Sequence, residues 1–572
     1  MPLPLLSPPV HETMRRPYPW EASYPPGVAW DAPLRDGTLN MLLAEACATY
    51  PDLPALSYFN WTITYKEYAA LVDRAAAGLH KLGVGPDKPL AFFLPNTPWH
   101  PILFFAALKL GGRLVHISPL DAERDIVHKL KDTGARILVT TNAGAMLGAG
   151  QKLAAGLGAA GLVDHVIVGE DGFWHEGAGA ARTLETGKLL SGMGLLDAAP
   201  LPAIAFPKVA PTDVALMQFT GGTTGMPKAA LLTHRNLFSA IEIYRVWGEP
   251  QGLAPKGVDK VLCVLPLFHI FAVSAVMLST MQNGAELILH PRFDTAAVVN
   301  DIEKRRVTFF PGVPTMWIAI ANFPGIEKRD LTSLTRIASG GAPCPVEVEQ
   351  KIKAMTTRPL GGGWGMTETA PAGTNIPTHG EMRFGTIGVP LPGILMDIVA
   401  LDDPRKILGY DEVGEIRIKG PCVISGYHNR AEENAKAFAD GYLLTGDMGK
   451  MDKDGYFTIV DRKKDMIISG GFNVYPRHIE EAMYEHPAVG EVTVIGIPDS
   501  YRGEAAKAFV ALKPGAAAFT LEELKEFLAD KVAKYEMPAQ LEFRPELPKT
   551  AVGKLSKKEL VAEERAKAAA KG

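Results

Sequence analysis

Residues 214–234 read VALMQFTGGTTGMPKAALLTH. The apolar start predicts a buried strand, and a loop rich in glycine and threonine follows it. Glycines let backbone N–H groups approach an anion closely, threonine hydroxyls add donors, and Lys228 adds a positive charge. The P-loop of kinases and GTPases needs Gly-Lys-Ser/Thr, whereas Pro227 and Ala229 flank this lysine. A plain polar loop would not need these residue types together, so the stretch predicts a phosphate-binding loop of another type.

On the N-terminal side of this stretch, predicted helices and strands alternate. Thr64 and Glu67 have the spacing of a capping box, and apolar residues at helical intervals then continue to Leu82. The predicted order after that helix is strand, helix, strand, helix, strand, at 90–94, about 99–110, 114–117, about 122–133 and 136–140. Apolar strands recur near Val214, Val261, Leu287, Val307 and Ile337. Alternation of this kind predicts parallel sheets covered by helices, arranged as two α/β layers.

The C-terminal part has a different character. Short strands and turns follow residue 395, which predicts a small β-rich subdomain. From about Met466 the pattern is helix, strand, strand, helix, strand and a basic tail, typical of a small α+β domain. We therefore expect an α/β protein with a large N-terminal domain, residues 1–463, and a small mobile C-terminal domain, residues 464–572.

Composition limits the classes of partner and compartment. The chain has 572 residues and a formal net charge of -4, which gives no reason to expect nucleic acid as a partner. Its 4 cysteines form no CxxC pair, so a disulfide framework or zinc site is not expected, and a cytoplasmic location fits. No secretory signal is visible at the N-terminus. The uncharged run 261–281 is long enough to suggest a membrane span, but Pro266, His269 and Ser274 favour a buried core element.

The run Gly156-Leu-Gly-Ala-Ala-Gly161 matches the dinucleotide-binding fingerprint. That fingerprint should follow a strand and open a helix. Here it ends a helical pattern and precedes the strand at 166–168. We interpret it as a helix-to-strand connection.

Three later runs supply groups that a nucleotide reaction needs. Gly363-Trp-Gly-Met-Thr-Glu-Thr369 places an aromatic ring beside a hydroxyl and a carboxylate, which suits a base and Mg²⁺. Tyr442-Leu-Leu-Thr-Gly-Asp447 offers a carboxylate for a ribose diol. Pro548-Lys-Thr-Ala-Val-Gly-Lys554 offers a lysine on a glycine-containing loop. Each signal alone is weak, because a lone Trp is usually core and a lone Lys is usually solvated.

Together, these motifs resemble the superfamily of acyl-CoA synthetases, nonribosomal adenylation domains and firefly-type luciferases. The resemblance runs from about residue 40 to residue 560. It implies an AMP-forming acid–thiol ligase that uses ATP, Mg²⁺ and coenzyme A. Its small-molecule carboxylic acid would pass through an acyl-adenylate.

The resemblance also implies roles for individual residues. Lys554 would bridge the substrate carboxylate and the α-phosphate, which Thr367 would contact, and Thr220 and Glu368 would hold Mg²⁺. Asp447 would hold the ribose hydroxyls, helped by Arg462. The β- and γ-phosphates would lie in the loop made by Thr220, Gly221, Gly222, Thr223, Thr224, Gly225 and Lys228. The adenine would lie among Gly340, Gly341, Ala342, Pro343, Trp364, Gly365 and Met366.

The second half-reaction needs a thiol to reach the acyl carbon. In this family the C-terminal domain rotates between the two steps. The run 461–476 looks like the hinge, with Lys464 at the pivot, and Gly470 and Gly471 would line the pantetheine tunnel. His269, in Pro266-Leu-Phe-His-Ile-Phe-Ala272, would lie where the acyl pocket meets that tunnel.

Two features favour an aliphatic acid. Gly221 stands where most relatives have Ser, a variant shared with bacterial long-chain fatty acyl-CoA synthetases. Gly361, Gly362 and Gly363 remove side chains that could block a long channel, although a plain loop explains them nearly as well. The runs 17–28 and 118–124 instead resemble dicarboxylate (pimelate)–CoA ligases, whose pocket should hold a cation. We expect a medium- or long-chain fatty acid first and a dicarboxylate second.

Other classes stay open. An acyl-AMP ligase serving a carrier protein is the main rival among enzymes. No carrier-protein domain is expected after the synthetase region, which argues against a nonribosomal peptide module. A luciferase-like oxygenase fits less well. An inactive acyl- or nucleotide-binding protein is the rival from another class, and the presence of Lys228, Glu368, Asp447 and Lys554 argues against it. A homodimer and peripheral attachment at the inner face of the membrane also remain open.

Overall fold

Two large sheets form the centre of the fold. The computed structural model describes residues 3–143, 146–176, 180–183, 185, 187–202, 206–220, 226–253, 255–340, 346–356, 358–379, 383, 385–469, 472–499, 501–550 and 554–569. Within these ranges, each of the two sheets has seven strands, parallel except for one edge strand. This arrangement confirms the expected α/β class with two layers.

The first sheet carries the strand that opened the sequence analysis. Its strand order is β7-β6-β5-β3-β4-β8-β9. The strands are β3 (Leu90–Phe92), β4 (Leu114–His116), β5 (Ile137–Thr141), β6 (His165–Gly169), β7 (Leu189–Ser191), β8 (Val214–Thr220) and β9 (Lys228–Thr233). β8 is parallel to β4 and antiparallel to β9, which is the edge strand of the sheet.

The second sheet has the order β14-β13-β12-β10-β11-β1-β2. Its strands are β1 (Pro54–Tyr58), β2 (Trp61–Thr64), β10 (Lys260–Cys263), β11 (Glu286–Leu289), β12 (Phe309–Gly312), β13 (Arg336–Ser339) and β14 (Gly361–Gly362). β10, β11, β12 and β13 contain or adjoin the apolar runs that the sequence indicated. β1 and β2 were not predicted, and neither was β14, because two glycines give no apolar signal.

Helices cover these sheets. Several begin with an interpretable signal; for example, Thr64 N donates to Glu67 Oε2 at 2.8 Å, so the predicted capping box is present. The helices are α1 (Leu39–Thr49), α2 (Tyr65–Lys81), α3 (Trp99–Lys109), α4 (Glu123–Thr133), α5 (Met146–Ala159), α6 (Phe173–Glu176), α7 (Gly192–Leu195), α8 (His234–Gly248), α9 (Ser279–Gln282), α10 (Thr295–Arg305), α11 (Pro314–Ala321) and α12 (Val346–Thr356). The dinucleotide-like run lies at the end of α5, before β6, as expected for a helix-to-strand connection.

The uncharged run 261–281 is a core element. It contains the end of β10 and a π-helical segment, Phe271–Leu278, whose residues are mostly buried between α8 and the second sheet. The buried element was predicted but its π geometry was not, because a uniformly apolar run has no periodicity. Within the described part of the chain, every helix is too short or too polar to span a bilayer.

The smaller sheets follow in sequence. β15 (Thr374–Asn375) pairs with β16 (Val389–Pro390). The β-rich subdomain contains β17 (Leu395–Val399), β18 (Gly414–Lys419), α13 (Ala431–Ala437), β19 (Phe438–Ala439), β20 (Tyr442–Met451) and β21 (Phe457–Arg462). Short strands were expected here, and the structure confirms them.

The C-terminal elements have their own apolar core. They are β22 (Ile467–Ser469), β23 (Phe472–Val474), α14 (Pro476–Tyr484), β24 (Val489–Asp499), β25 (Gly503–Leu512), α15 (Leu521–Leu528), β26 (Gln540–Phe543) and α16 (Lys558–Ala569). The order from α14 to β26 is the predicted one. The predicted basic tail contains a helix that was not predicted, α16, and the fully buried Leu560 anchors this helix against the sheet. The boundary at residues 463 and 464 stays a prediction.

An N-terminal strap, residues 3–36, crosses the β-rich subdomain. Trp30 Nε1 donates to the carbonyl of Ile394 at 2.8 Å, and His11 Nε2 lies 2.8 Å from Asp397 Oδ1. Trp20 is fully buried. The strap therefore belongs to the core that spans the large sheets and this subdomain.

Candidate active site

A cavity of about 960 Å³ lies where β8, β13, β20 and the C-terminal elements meet. Twelve of the residues expected to form the site line it: Thr220, Lys228, His269, Gly340, Trp364, Gly365, Met366, Thr367, Glu368, Arg462, Lys464 and Lys554. Ten others lie outside the described residues: Gly221, Gly222, Thr223, Thr224, Gly225, Gly341, Ala342, Pro343, Gly470 and Gly471. The chain thus gathers groups from positions 220 to 554 into one cavity.

Asp447, on β20, lies behind the cavity wall. Trp364 Nε1 donates to its Oδ2 at 2.8 Å, and Arg462 Nε lies 2.5 Å from Oδ1. Burial raises the pKa of Asp447, while the Arg462 charge and the indole bond oppose that rise. Oδ1 has the ion pair but, among the described residues, no hydrogen bond of acceptable geometry. A buried acceptor of this kind suits a hydroxyl donor such as a ribose.

Glu368 is 5% exposed and lies in a single 3₁₀ turn, Thr367–Thr369. Tyr427 donates its hydroxyl proton to Oε1 at 2.8 Å. Burial raises the pKa of Glu368, and the Tyr427 bond and the charges of Arg462 and Lys228 lower it. Tyr427 was missed by sequence reasoning because nothing local links it to a carboxylate 59 positions earlier.

The described residues contain no group of three His, Cys, Asp or Glu that could cage a metal ion. Mg²⁺ commonly binds through one or two carboxylates plus substrate phosphates and water. Glu368, with Thr220 on the same cavity wall, therefore fits a metal that arrives with a triphosphate.

Thr220 and Lys228 are the paired ends of the β8–β9 hairpin. Both line the cavity. The Lys228 ammonium lies 4.7 Å from the centroid of the Tyr427 ring. Lys228, Tyr427 and Glu368 thus form a continuous contact from the phosphate-loop strand to the carboxylate.

Lys554 enters the cavity from the C-terminal elements. Burial and the nearby Arg462 charge lower the pKa of its ammonium to about 8, and Asp447 opposes the shift. Burial also lowers the pKa of Lys464. A lysine whose charge is only weakly balanced by nearby carboxylates, and which lies inside a cavity, suits a site that receives an anionic ligand.

His269 lines the same cavity. Burial, and then the charge of Lys554, lower its pKa to about 3, so the imidazole is neutral at physiological pH. Gln218, on β8, donates from Nε2 to the carbonyl of Phe268 at 2.9 Å and contacts His116 Nδ1 at 2.9 Å. This buried pair fixes the backbone beside His269. Gln218 was also missed, since a glutamine in an apolar strand carries no specific signal.

The glycines near Trp364 have a packing reason. A Cβ on Gly363 would lie 2.2 Å from the carbonyl oxygen of Thr374, and one on Gly365 would lie 1.4 Å from that of Pro371. Gly361, Gly362 and Gly363 also line the cavity. Close backbone approach therefore requires at least Gly363, independently of any channel for a substrate.

Comparison with known protein families matches two stretches of the chain. The family described as AMP-binding enzyme matches residues 43–428, and the AMP-binding enzyme C-terminal domain matches residues 478–554. A long-chain-fatty-acid–CoA ligase of Bacillus subtilis (strain 168) is 36% identical over 559 residues, covering 96% of this chain and 98% of its own.

Solved structures share the fold. ATP-bound MatB from Rhodopseudomonas palustris has a TM-score of 0.81 at 26% identity, covering 92% of this chain and 99% of its own. O-succinylbenzoate coenzyme A synthetase from Bacillus subtilis, in complex with ATP and magnesium ion, has a TM-score of 0.74 at 27% identity, covering 90% and 98%. Both of these neighbours were solved with ATP bound.

Proposed function

The chain belongs to the AMP-binding enzymes, and on that premise we propose that it is an AMP-forming fatty acid–CoA ligase. Its substrates are ATP, a medium- or long-chain carboxylate and coenzyme A. A carboxylate oxygen bonds to the α-phosphorus of ATP while the bond to pyrophosphate breaks. The coenzyme A thiol then bonds to the acyl carbon, loses its proton and expels AMP.

One observation supports this proposal above the others. Lys554, Glu368 and Lys228 line a single cavity, and Asp447 lies directly behind Trp364 in its wall. Two ammonium groups, a carboxylate able to hold a metal and a buried ribose acceptor are the groups that adenylation of a carboxylate requires. A mere binding module would not need the desolvated lysine.

In the first half-reaction, Lys554 holds the carboxylate against the α-phosphate and stabilises the negative charge that builds there. Lys228 and Thr220 bind the outer phosphates, with residues 221–225 between them. Mg²⁺, held by Glu368 and Thr220, would neutralise phosphate charge. Asp447 and Arg462 orient the ribose, and Trp364, Gly340, Gly365 and Met366 enclose the base.

For the second half-reaction, we propose that the C-terminal domain, residues 464–572, rotates about Lys464. Among the described residues, the two apolar cores formed within 467–561 contain no side chain from the rest of the protein. This separation supports movement of the C-terminal domain as a unit. Rotation would withdraw Lys554 and bring Gly470 and Gly471 to the thiol path beside His269. His269 is neutral at physiological pH, so it would add no charge beside the acyl carbon and would leave that carbon accessible to the thiol.

Two further proposals are independent of the ligase activity: association of the protein with a membrane surface, and formation of a homodimer. Flotation with vesicles tests the first, and light scattering after size exclusion tests the second.

The decisive experiment measures AMP release and acyl-CoA formation with saturated acids of increasing length. We expect both products to depend on coenzyme A and to be nearly abolished in Lys554→Ala. Lys558→Ala is the matched control, because Lys558 is exposed on α16 only four positions away. Acyl-adenylate without thioester would favour the acyl-AMP ligase, and absence of pyrophosphate exchange with every acid would leave only a binding protein.

A further inference from the structure

The cavity continues away from the catalytic groups, between the second sheet and α8. Phe309 and Ala338 form part of the sheet wall. Trp247 of α8 and Ala275 of the π-helical segment lie among the lining residues of the helical side. Apolar walls of this kind suit an alkyl chain.

Arg336 lines this extension at the start of β13, whereas Gly340 lines the catalytic end just after the same strand. At roughly 3.3 Å per residue, the two backbones lie about 13 Å apart. The guanidinium carbon lies 3.8 Å from the ring centroid of Phe309, its parallel partner on β12. The side chain is 25% exposed, so part of it faces the cavity.

The guanidinium of Arg336 has few partners. One terminal nitrogen lies 3.6 Å from Asp259 Oδ2, beyond hydrogen-bond distance. Asp259 Oδ1 already accepts a bond from the Thr308 hydroxyl at 2.7 Å. Arg336 Nε is buried and, within the described ranges, has no hydrogen-bond partner. Buried donors usually find acceptors, so this guanidinium has capacity for another anion.

Two other arginines that line the cavity, Arg245 and Arg358, can be compared with Arg336. Arg245 donates to both Glu242 and Glu249 at 2.8–3.2 Å and so is already neutralised. Arg358 is exposed and lies just before β14, beside the start of β13 in the parallel sheet. This end of the cavity therefore carries two arginines, of which Arg336 has one long ion pair, with Asp259, and Arg358 is exposed.

We infer that the far end of the acyl cavity binds a carboxylate at the ω-end of the substrate through Arg336. This inference rests on the proposed ligase activity and adds α,ω-dicarboxylic acids of medium length to the carboxylates that the enzyme accepts. A 13 Å path corresponds to roughly ten carbons in an extended chain. The planar guanidinium matches a carboxylate, and Phe309 holds it in place by stacking.

The test compares decanoate, decanedioate and the monomethyl ester of decanedioate by kcat/KM for coenzyme A-dependent AMP release. We expect the wild-type enzyme to prefer the diacid over its ester. Arg336→Met should lower the ratio of diacid to decanoate by about 10- to 100-fold, the effect of losing a charge-assisted hydrogen bond. Arg306→Met should keep the wild-type ratio, because Arg306 is exposed and paired with Asp330 at the same sheet edge.

The outcomes separate the two proposals. Turnover of decanoate without discrimination between diacid and ester overturns this inference alone, and so does an unchanged ratio in Arg336→Met. The ester comparison uses only the wild-type chain, so it stands even if the variant folds poorly. Failure of all three acids, and of every other chain length, overturns the ligase proposal as well.

Discussion

The indole nitrogen of Trp364 donates a hydrogen bond to Asp447 across 2.8 Å, although 83 positions separate the two residues in the chain. The bond joins the expected base-binding aromatic residue to the expected ribose-binding carboxylate. Both side chains are buried, so neither can exchange this partner freely for water. Under the proposed function, this hydrogen bond couples the position of the adenine base to the position of the ribose.

Trp364→Phe should raise KM for ATP by about tenfold, because it keeps an aromatic ring but leaves a buried carboxylate without its donor. Pyrophosphate exchange at varied ATP concentration measures the effect. Trp174→Phe removes another fully buried indole away from the cavity and serves as the control. An unchanged KM in Trp364→Phe would contradict a role for this bond in nucleotide binding.

Lys554 should impose a pH dependence on adenylation. Because the pKa of its ammonium is lowered to about 8, the group is charged below that pH and loses its proton above it. We therefore expect kcat/KM for pyrophosphate exchange to fall as pH rises through about 8, since this parameter reports the free enzyme. Lys554→Arg should abolish that fall while lowering the rate. Persistence of the same fall in the arginine variant would assign it to another group.

Tyr427→Phe should weaken the binding of Mg²⁺ with ATP. Burial already raises the pKa of Glu368, and loss of the hydroxyl bond removes an opposing contribution. The carboxyl would then stay protonated to a higher pH, so the loss should be larger at pH 6 than at pH 8. Titration of activity with Mg²⁺ at both pH values measures it. The phenylalanine ring retains the contact with Lys228, which separates this effect from loss of the aromatic surface.

Arg417 should stabilise the β-rich subdomain. It forms a buried ion pair with Asp397 at 2.9 Å, and both side chains are at most 3% exposed. Arg417→Met leaves that carboxylate with His11 alone, and breaking such a buried pair typically costs about 3 kcal/mol. Urea unfolding followed by tryptophan fluorescence should show this loss.

The control for that experiment is Arg405→Met. Arg405 is 76% exposed and lies 3.5 Å from Asp440. An exposed pair of this kind contributes less than about 1 kcal/mol. Equal destabilisation by the two substitutions would mean that burial of the Asp397 pair is not the cause.

Local patterns predicted the parts of the fold that local energetics decide. The Thr64 capping box starts α2 where expected, and apolar runs mark β8, β10 and β13. Motif resemblance also indicated the residues that line the cavity, from Thr220 to Lys554. These features depend on neighbouring residues or on long motifs, so a single sequence reveals them.

Contacts between distant segments could not be predicted. Tyr427 and Gln218 act on Glu368 and the backbone of Phe268 through tertiary packing. Arg336 begins an ordinary-looking strand, and only the open space beside it distinguishes it from a surface charge. The roles of Asp447 and Lys554 remain predictions, because proximity alone does not show which ligand atom each one meets.

The N-terminal strap has a practical consequence for anyone dividing this chain into fragments. The family match begins at residue 43, downstream of the strap. A fragment cut there would uncover the surfaces on which Trp20 and Trp30 pack and would remove the partner of Asp397 at His11. Such a fragment should expose apolar surface and precipitate readily, even though it would still contain every motif expected to bind ATP or take part in catalysis.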